Sequence, residues 1–284
     1  MKCFITGAAG QLGYDLNRVL ATFGYEVMAT DYDSVDITNY NQVLNSVKSF
    51  RPDIIIHCAA YTAVDHAEDE PQKCYDINVV GTKHLVEAAR EVGSKIVYIS
   101  TDYVFDGTKN GVYEVDDLAN PTSVYGSTKF KGEELVRMYE KHFIVRISWV
   151  FGINGNNFVK TMIKLGKEKA ELSIIDDQVG SPTYTYDLAY LLKEMSLTTK
   201  YGTYHVTNEG YCSWADFARE IFKLCSLDVV VNNITTDQYP TKAKRPLNSR
   251  LSKRSLNENG FKNLQNWQEA LKDYINELIE KEEI

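Results

Sequence analysis

The chain has 284 residues, 44% of them hydrophobic and 25% charged, which are globular proportions and enough length for one large domain or two closely joined ones. Its formal net charge of −8 argues against a nucleic-acid binder, because that affinity rests on Lys and Arg neutralising phosphates, whereas anionic small molecules need only a few local cations. No apolar run of about 18 residues appears, which argues against a membrane-spanning helix, and Cys3, Cys58, Cys74, Cys212 and Cys225 include no C-x-x-C pair and read as buried free thiols, not metal ligands.

The opening MKCFITGAAG has no signal-peptide apolar stretch and reads as the first strand of a cytoplasmic protein, KCFIT, running into a glycine-rich turn. LGYDLNRVLATFG reads as a helix closed by Gly24, and YEVMATD as the second strand. YNQVLNSVKSF is helical, and PDIIIHCAA is a buried strand followed by a polar loop. NVVGTKHLVEAAREVG is a helix with Gly93 at its end, KIVYIST a further strand, and VYGSTK the opening of a helix near Ser123. FIVRISWVFG, around residues 143 to 152, repeats the strand signature. Strands separated by helices predict an α/β fold, a Rossmann-type doubly wound parallel sheet, over residues 1–150.

Beyond residue 150 the order changes. NNFVKTMIKLGKEKAELSII reads as a helix and an extended segment, DQVGSPTYTYDLAYLLKEM as a loop and a helix, and GTYHVTN as a short strand. SWADFAREIFKLC is a helix opened by Ser213, with Asp216 placed for a near capping box, and the tail from Asn266 to Glu283 is a charged amphipathic helix. Residues 151–284 therefore read as a smaller, mainly substrate-binding region, with elements from 185–225 packed back on the first domain.

TGAAGQLG sets Gly7, Gly10 and Gly13 at three-residue spacing between a strand and a helix. In a dinucleotide-binding unit such glycines allow a tight turn, close approach of backbone to pyrophosphate, and helix-on-strand packing, with the helix N-terminus facing the phosphates. Gln11 and Leu12, inside that first turn, are expected at the cofactor with them. Asp31 ends the next strand 18 residues after Gly13, where an acid accepts from the adenosine ribose hydroxyls and repels a 2′-phosphate, which favours NADH and leaves NADPH possible. An ordinary strand-end turn residue is the alternative for Asp31. Asp36 and Ile37 lie where a loop can cover the adenine, and Ala59, Ala60 and Tyr61 follow the third strand at the edge where ligands collect. A plain strand-to-loop transition is the alternative there.

Tyr125 and Lys129 are four apart, so a helix starting near Ser123 puts the phenol and the amine on one face. With 19 tyrosines in the chain, a Tyr-x-x-x-Lys pair arises by chance, and alone it decides nothing. Taken together and in this order, however, Gly7-x-x-Gly10-x-x-Gly13, Thr101 and Tyr125-x-x-x-Lys129 resemble the extended short-chain dehydrogenase/reductase superfamily. The strings STDYVFDG (100–107), NPTSVYGSTKFKGE (120–133), RISWVFG (146–152), NNFVKTM (156–162), DDQVGSPT (176–183), GTYHVTN (202–208) and RPLNSRL (245–251) are similar to the dTDP-4-dehydrorhamnose reductase family, over about residues 3 to 251.

That resemblance implies reduction of the 4-keto group of dTDP-4-dehydro-L-rhamnose by hydride from NAD(P)H. It makes Tyr125 the proton donor, Lys129 the charge that supports its anion and holds the nicotinamide ribose, and Thr101 a hydrogen-bond donor to the carbonyl oxygen. It places Asp102, Tyr103 and Trp149 in the sugar pocket and Arg245, Asn248 and Arg250 toward the diphosphate, with Asn157 and Gln178 also facing the substrate. Core packing for Trp149 and solvated surface for the arginines are the alternatives. Homodimers are common among relatives, and some bridge subunits through Mg²⁺ held by acidic side chains; Asp15 lies on the corresponding helix without identifiable partner acids.

Three rivals share the scaffold. Nucleotide-sugar dehydratases pair the Thr with Asp-Glu, and here Thr101-Asp102-Tyr103 lacks the Glu. Nucleotide-sugar 4-epimerases return the hydride to the same molecule and show no net cofactor consumption. A non-catalytic regulatory subunit, like the β subunit associated with eukaryotic methionine adenosyltransferase, has no need of an intact Thr-Tyr-Lys set.

Overall fold

The structure is a computed structural model that describes residues 1–284. Strands β1 (Lys2–Thr6), β2 (Glu26–Thr30), β3 (Ile54–His57), β4 (Lys95–Thr101), β5 (His142–Ile147) and β6 (Gly202–His205) form one parallel sheet in the order β6-β5-β4-β3-β1-β2. The longer helices are α1 (Gln11–Thr22), α2 (Tyr40–Phe50), α3 (Thr82–Val92), α4 (Val124–Arg137), α5 (Phe158–Glu168), α6 (Thr185–Ser196), α7 (Trp214–Leu224) and α8 (Trp267–Glu280).

The apolar runs of the strands are continuous because both faces of the sheet are covered, as expected of parallel strands. Phe4, Ile55, Ile96, Tyr98 and Ile144 pack beneath α2, α3 and α4, while Ile5, Ile54, Ile56, Val97 and Val145, one residue out of phase, pack beneath α1 and α6. The course of the chain across the sheet reverses at β1, and the glycine turn leaves from that point. Such a switch point opens a crevice at the C-terminal ends of the strands.

β6 and α6 belong to this first lobe although they follow residue 150, whereas α7 joins the second. The second lobe has its own core, with Val159, Phe217, Phe222, Trp267 and Tyr274 supplied by α5, α7 and α8 and Phe151 by the segment just before α5. A two-stranded parallel sheet pairs Glu171–Ile175 with Val230–Ile234. A small three-stranded sheet sets Val179–Gly180 between Cys212–Ser213 and Asn248–Ser249. At the start of α7 the Ser213 and Asp216 side chains form the full reciprocal capping box.

Two elements differ from the sequence expectation. The helix expected to begin at Asn78 opens instead with a wide π turn, Asp76–Gly81, before α3, and Gly81 has no Cβ because the Ile37 side chain fills that space. The strand expected over residues 143 to 152 stops at Ile147; Trp149 adopts a left-handed φ of 50°, and Val150–Phe151 turn away to pair with Thr183–Tyr184. No helix is long and apolar enough to cross a membrane.

Candidate active site

The C-terminal ends of β1 to β5 border a cleft of about 1100 Å³. Its floor is the glycine turn. Gly7 sits at φ 68°, and a Cβ there would lie 2.7 Å from the Ala59 nitrogen, while one on Gly13 would strike the Gly7 carbonyl at 2.2 Å. Only glycine fits either position. No side chain caps α1, so the first-turn amides of Gln11, Leu12 and Gly13 are open to an anion, and all three residues line the cleft with Gly10. A dinucleotide pyrophosphate fits this donor set.

Asp31 lines the same cleft, its carboxylate accepting from the Ala9 N–H (2.8 Å) and the Tyr32 N–H (2.8 Å). Asp36 and Ile37 border it too, the Asp36 carboxylate held by the Thr38 N–H at 2.9 Å and hydroxyl at 2.7 Å. Ala59 and Ala60 line it at the end of β3. Tyr61 is outside the lining: its phenol donates to Glu70 (2.6 Å) and its ring lies beneath Lys73.

Thr101, Tyr125 and Lys129 line the same cleft. β4 delivers Thr101, and α4, whose first turn is capped by the Ser123 hydroxyl accepting from the Gly126 N–H (3.1 Å), carries the other two on one face. The Tyr103 ring meets the Tyr125 ring edge to face at 5.5 Å. Burial pushes the Tyr125 phenol well up, opposed by the Thr101 hydroxyl, so the phenol is protonated at neutral pH. The Lys129 amine stands 4.0 Å over the Tyr98 ring, and burial pulls it down to about 7, against the opposing pull of Glu133. Burial likewise raises the Asp102 carboxyl to about 6, while the Ser249 and Thr101 hydroxyls, donating to its two oxygens at 2.5 Å and 2.9 Å, oppose the shift.

Asp102, Tyr103 and Trp149 also line the cleft. The Trp149 ring stacks on Trp214 at 3.8 Å and 13°, so a residue at the end of the first lobe's sheet is held by the second lobe. The remaining substrate candidates lie outside the lining. Arg245 donates to Asp65 at 2.8 Å, and the Ala243 N–H donates to the same carboxylate. Asn248 donates to the Lys109 and Gly111 carbonyls and accepts from the Arg250 guanidinium. Asn157 caps α5 and donates to the Gln11 side chain (3.1 Å) and the Tyr274 hydroxyl (2.9 Å). Gln178 accepts from the Trp214 indole N–H (3.1 Å) and donates to Thr236.

Sequence reasoning missed Tyr32, Thr62, Lys73, Asp76, Ser148 and Asn156 in the lining. Most come from loops or from one-turn helices too short to show a period, and for those the sequence carried no signal; Tyr32, next to Asp31, had one. Asp15 does not fit a metal ligand: its carboxylate is fully buried, accepts from the Thr185 hydroxyl and meets the Arg18 guanidinium at 2.8 Å. No group of three His, Cys, Asp or Glu side chains is placed to hold a metal ion.

The chain is similar to known proteins along nearly its whole length. A dTDP-4-dehydrorhamnose reductase of Aggregatibacter actinomycetemcomitans is 45% identical over 96% of this chain and 97% of that protein. The crystal structure of a dTDP-4-dehydrorhamnose reductase from Clostridium acetobutylicum matches with a TM-score of 0.96 at 46% identity, covering 98% of this chain and 100% of that one. That of the Bacillus anthracis enzyme, solved in complex with NADP, matches with a TM-score of 0.95 at 45% identity, covering 97% and 99%. The family model described as RmlD substrate binding domain matches residues 1–280. With a glycine-turn cleft, a Thr-Tyr-Lys wall and this extent of likeness, the chain belongs to the RmlD family.

Proposed function

We propose that the chain reduces the 4-keto group of dTDP-4-dehydro-L-rhamnose to the alcohol of dTDP-L-rhamnose. The observation that carries this is that Thr101, Tyr125 and Lys129 line one cleft with the glycine turn and the open N-terminus of α1. Gly7, Gly10, Gln11, Leu12 and Gly13 hold the pyrophosphate, Asp31 the adenosine ribose, and Lys129 the second ribose. A bound reduced nicotinamide supplies the hydride that the carbonyl carbon takes up. As negative charge gathers on the carbonyl oxygen, the Thr101 hydroxyl turns its one proton from the Asp102 carboxylate to it and the Tyr125 phenol gives it a proton. The phenolate left behind is stabilised by the Lys129 ammonium one helical turn away. Tyr103 and Trp149 wall the sugar.

NADH is the preferred donor, because the carboxylate of Asp31 is at the ribose end and the cations of the lining are Lys73 and Lys129. Use of NADPH has its support in the NADP held by the Bacillus anthracis enzyme. A homodimer goes with the reading, supported by the exposed aromatic side chains of Tyr14, Phe23 and Tyr190 on α1 and α6 and just beyond α1. A cytoplasmic setting is supported by five free thiols.

Purified protein given dTDP-4-dehydro-L-rhamnose and each reduced nicotinamide in turn consumes cofactor in proportion to the keto sugar added, followed by nicotinamide absorbance. Sugar conversion without net consumption would mean an epimerase, and no conversion at all a regulatory subunit.

A further inference from the structure

We infer that Glu133 is a positioning residue for the reaction, fixing α4 against the sheet and setting a negative charge one helical turn from the Lys129 amine. This rests on the assignment of Lys129 as the charge behind the Tyr125 phenolate.

Tyr125, Lys129 and Glu133 recur every four residues on α4, so the three share one face. Glu133 is the inner end of that row and is fully buried. Its Oε1 accepts from the Ser100 hydroxyl (2.6 Å) and the Arg146 Nε (2.8 Å), and its Oε2 from Arg146 (2.8 Å) and Arg137 (2.6 Å). Ser100 adjoins Thr101 in β4 and Arg146 lies in β5. One carboxylate therefore fixes the height of the Tyr-Lys helix against the strand that carries the third catalytic side chain.

The same carboxylate is the charged group beside the amine. The other groups facing Lys129 are His57 and Cys58 at the end of β3, Tyr98 of β4, and Cys74 of the short helix Pro71–Tyr75. Burial holds each of them neutral: it lowers His57 to about 3, raises the Cys58 thiol to about 12, and raises Cys74 and Tyr98 as well. Burial also pushes Glu133 up, but the Arg146 and Ser100 hydrogen bonds and the nearby Arg137 outweigh it and hold the carboxyl below its ordinary range. Behind it, Arg146 turns its one remaining nitrogen, Nη1, to both the Val115 carbonyl and His205, whose ring burial keeps neutral. Glu133 thus stands between a marginal ammonium and two guanidiniums.

The sign of the pH effect follows. The Lys129 amine is cationic below about 7 and loses its charge as pH rises through that value, so kcat/KM for NADH, which reports the free protein, falls on the alkaline side. Glu133→Gln removes the charge with little change of shape and moves this alkaline limb toward acid by about one pH unit. Arg137→Met removes a competing cation and moves the limb the other way. Its side chain is 35% exposed, so the fold survives the change and decides the matter if Glu133→Gln does not fold. Shifts of opposite sign support the inference. Limbs that coincide with wild type while thermal stability falls overturn it, because a purely structural anchor moves stability alone. A wild-type profile without the limb, or a Lys129→Met variant with undiminished rate, would instead remove the role of Lys129 and with it the reading on which the inference rests.

Discussion

At the scale of one residue, the proposed preference for NADH rests on Asp31. Its carboxylate already ties the glycine turn to the end of β2 through the Ala9 and Tyr32 amides, so the acid is pinned where a ribose diol would meet it. A 2′-phosphate at that point faces a fixed negative charge. Asp31→Ala is expected to narrow the ratio of kcat/KM for NADH over NADPH by about tenfold, the equivalent of one charge-assisted hydrogen bond. Steady-state rates with the two cofactors measure it, and an unchanged ratio means that Asp31 does not read the ribose. Asp102 shows a different constraint. Its two oxygens each accept one hydroxyl proton, from Ser249 and from Thr101, so it sets the direction of the threonine hydroxyl until a ketone oxygen competes for that proton.

Among the elements, α4 carries Tyr125 and Lys129, and its first turn is secured twice. The Ser123 hydroxyl accepts from Gly126 and the Glu68 carboxylate accepts from Val124 (2.8 Å), satisfying amides that a helix cannot satisfy itself. Ser123→Ala is expected to cost about 1 kcal/mol of stability, read as a lower midpoint in urea unfolding; an unmoved midpoint would mean that the cap carries no weight. Much at this scale was legible. The apolar runs of β1, β3, β4 and β5, the glycines closing α1 and α3, and the Ser213 cap follow from local rules. Val230–Ile234 was not legible, since its residues are largely exposed and its strand exists only by pairing with Glu171–Ile175. The break at Trp149 was hidden for a different reason, because the ring it stacks on, Trp214, is distant in sequence. Asn157 was readable from the sequence as an N-cap, standing just before an apolar helical run.

For the whole molecule, the cleft is closed by ties that cross from one lobe to the other. Asp65 and Asp69, in and just after the short helix Val64–Ala67, meet Arg245 and Lys242; Ser249 reaches Asp102; and Trp214 stacks on Trp149. None of these pairings has a signature in local sequence. An arginine held beside the cleft by an exposed carboxylate is available to a diphosphate that offers a better partner. Arg245→Met is therefore expected to raise KM for the nucleotide sugar about tenfold while leaving NADH affinity unchanged. Equal losses in both would make Arg245 part of the fold, not of the substrate subsite.

The account stands on the Tyr125 phenol reaching the ketone oxygen beside the bound nicotinamide. Single-turnover oxidation of prebound NADH on mixing with dTDP-4-dehydro-L-rhamnose, wild type against Tyr125→Phe, tests that most directly. The account predicts equal NADH binding and a rate lower by on the order of 10² or more in the variant. A variant that oxidises NADH as fast as wild type would contradict it.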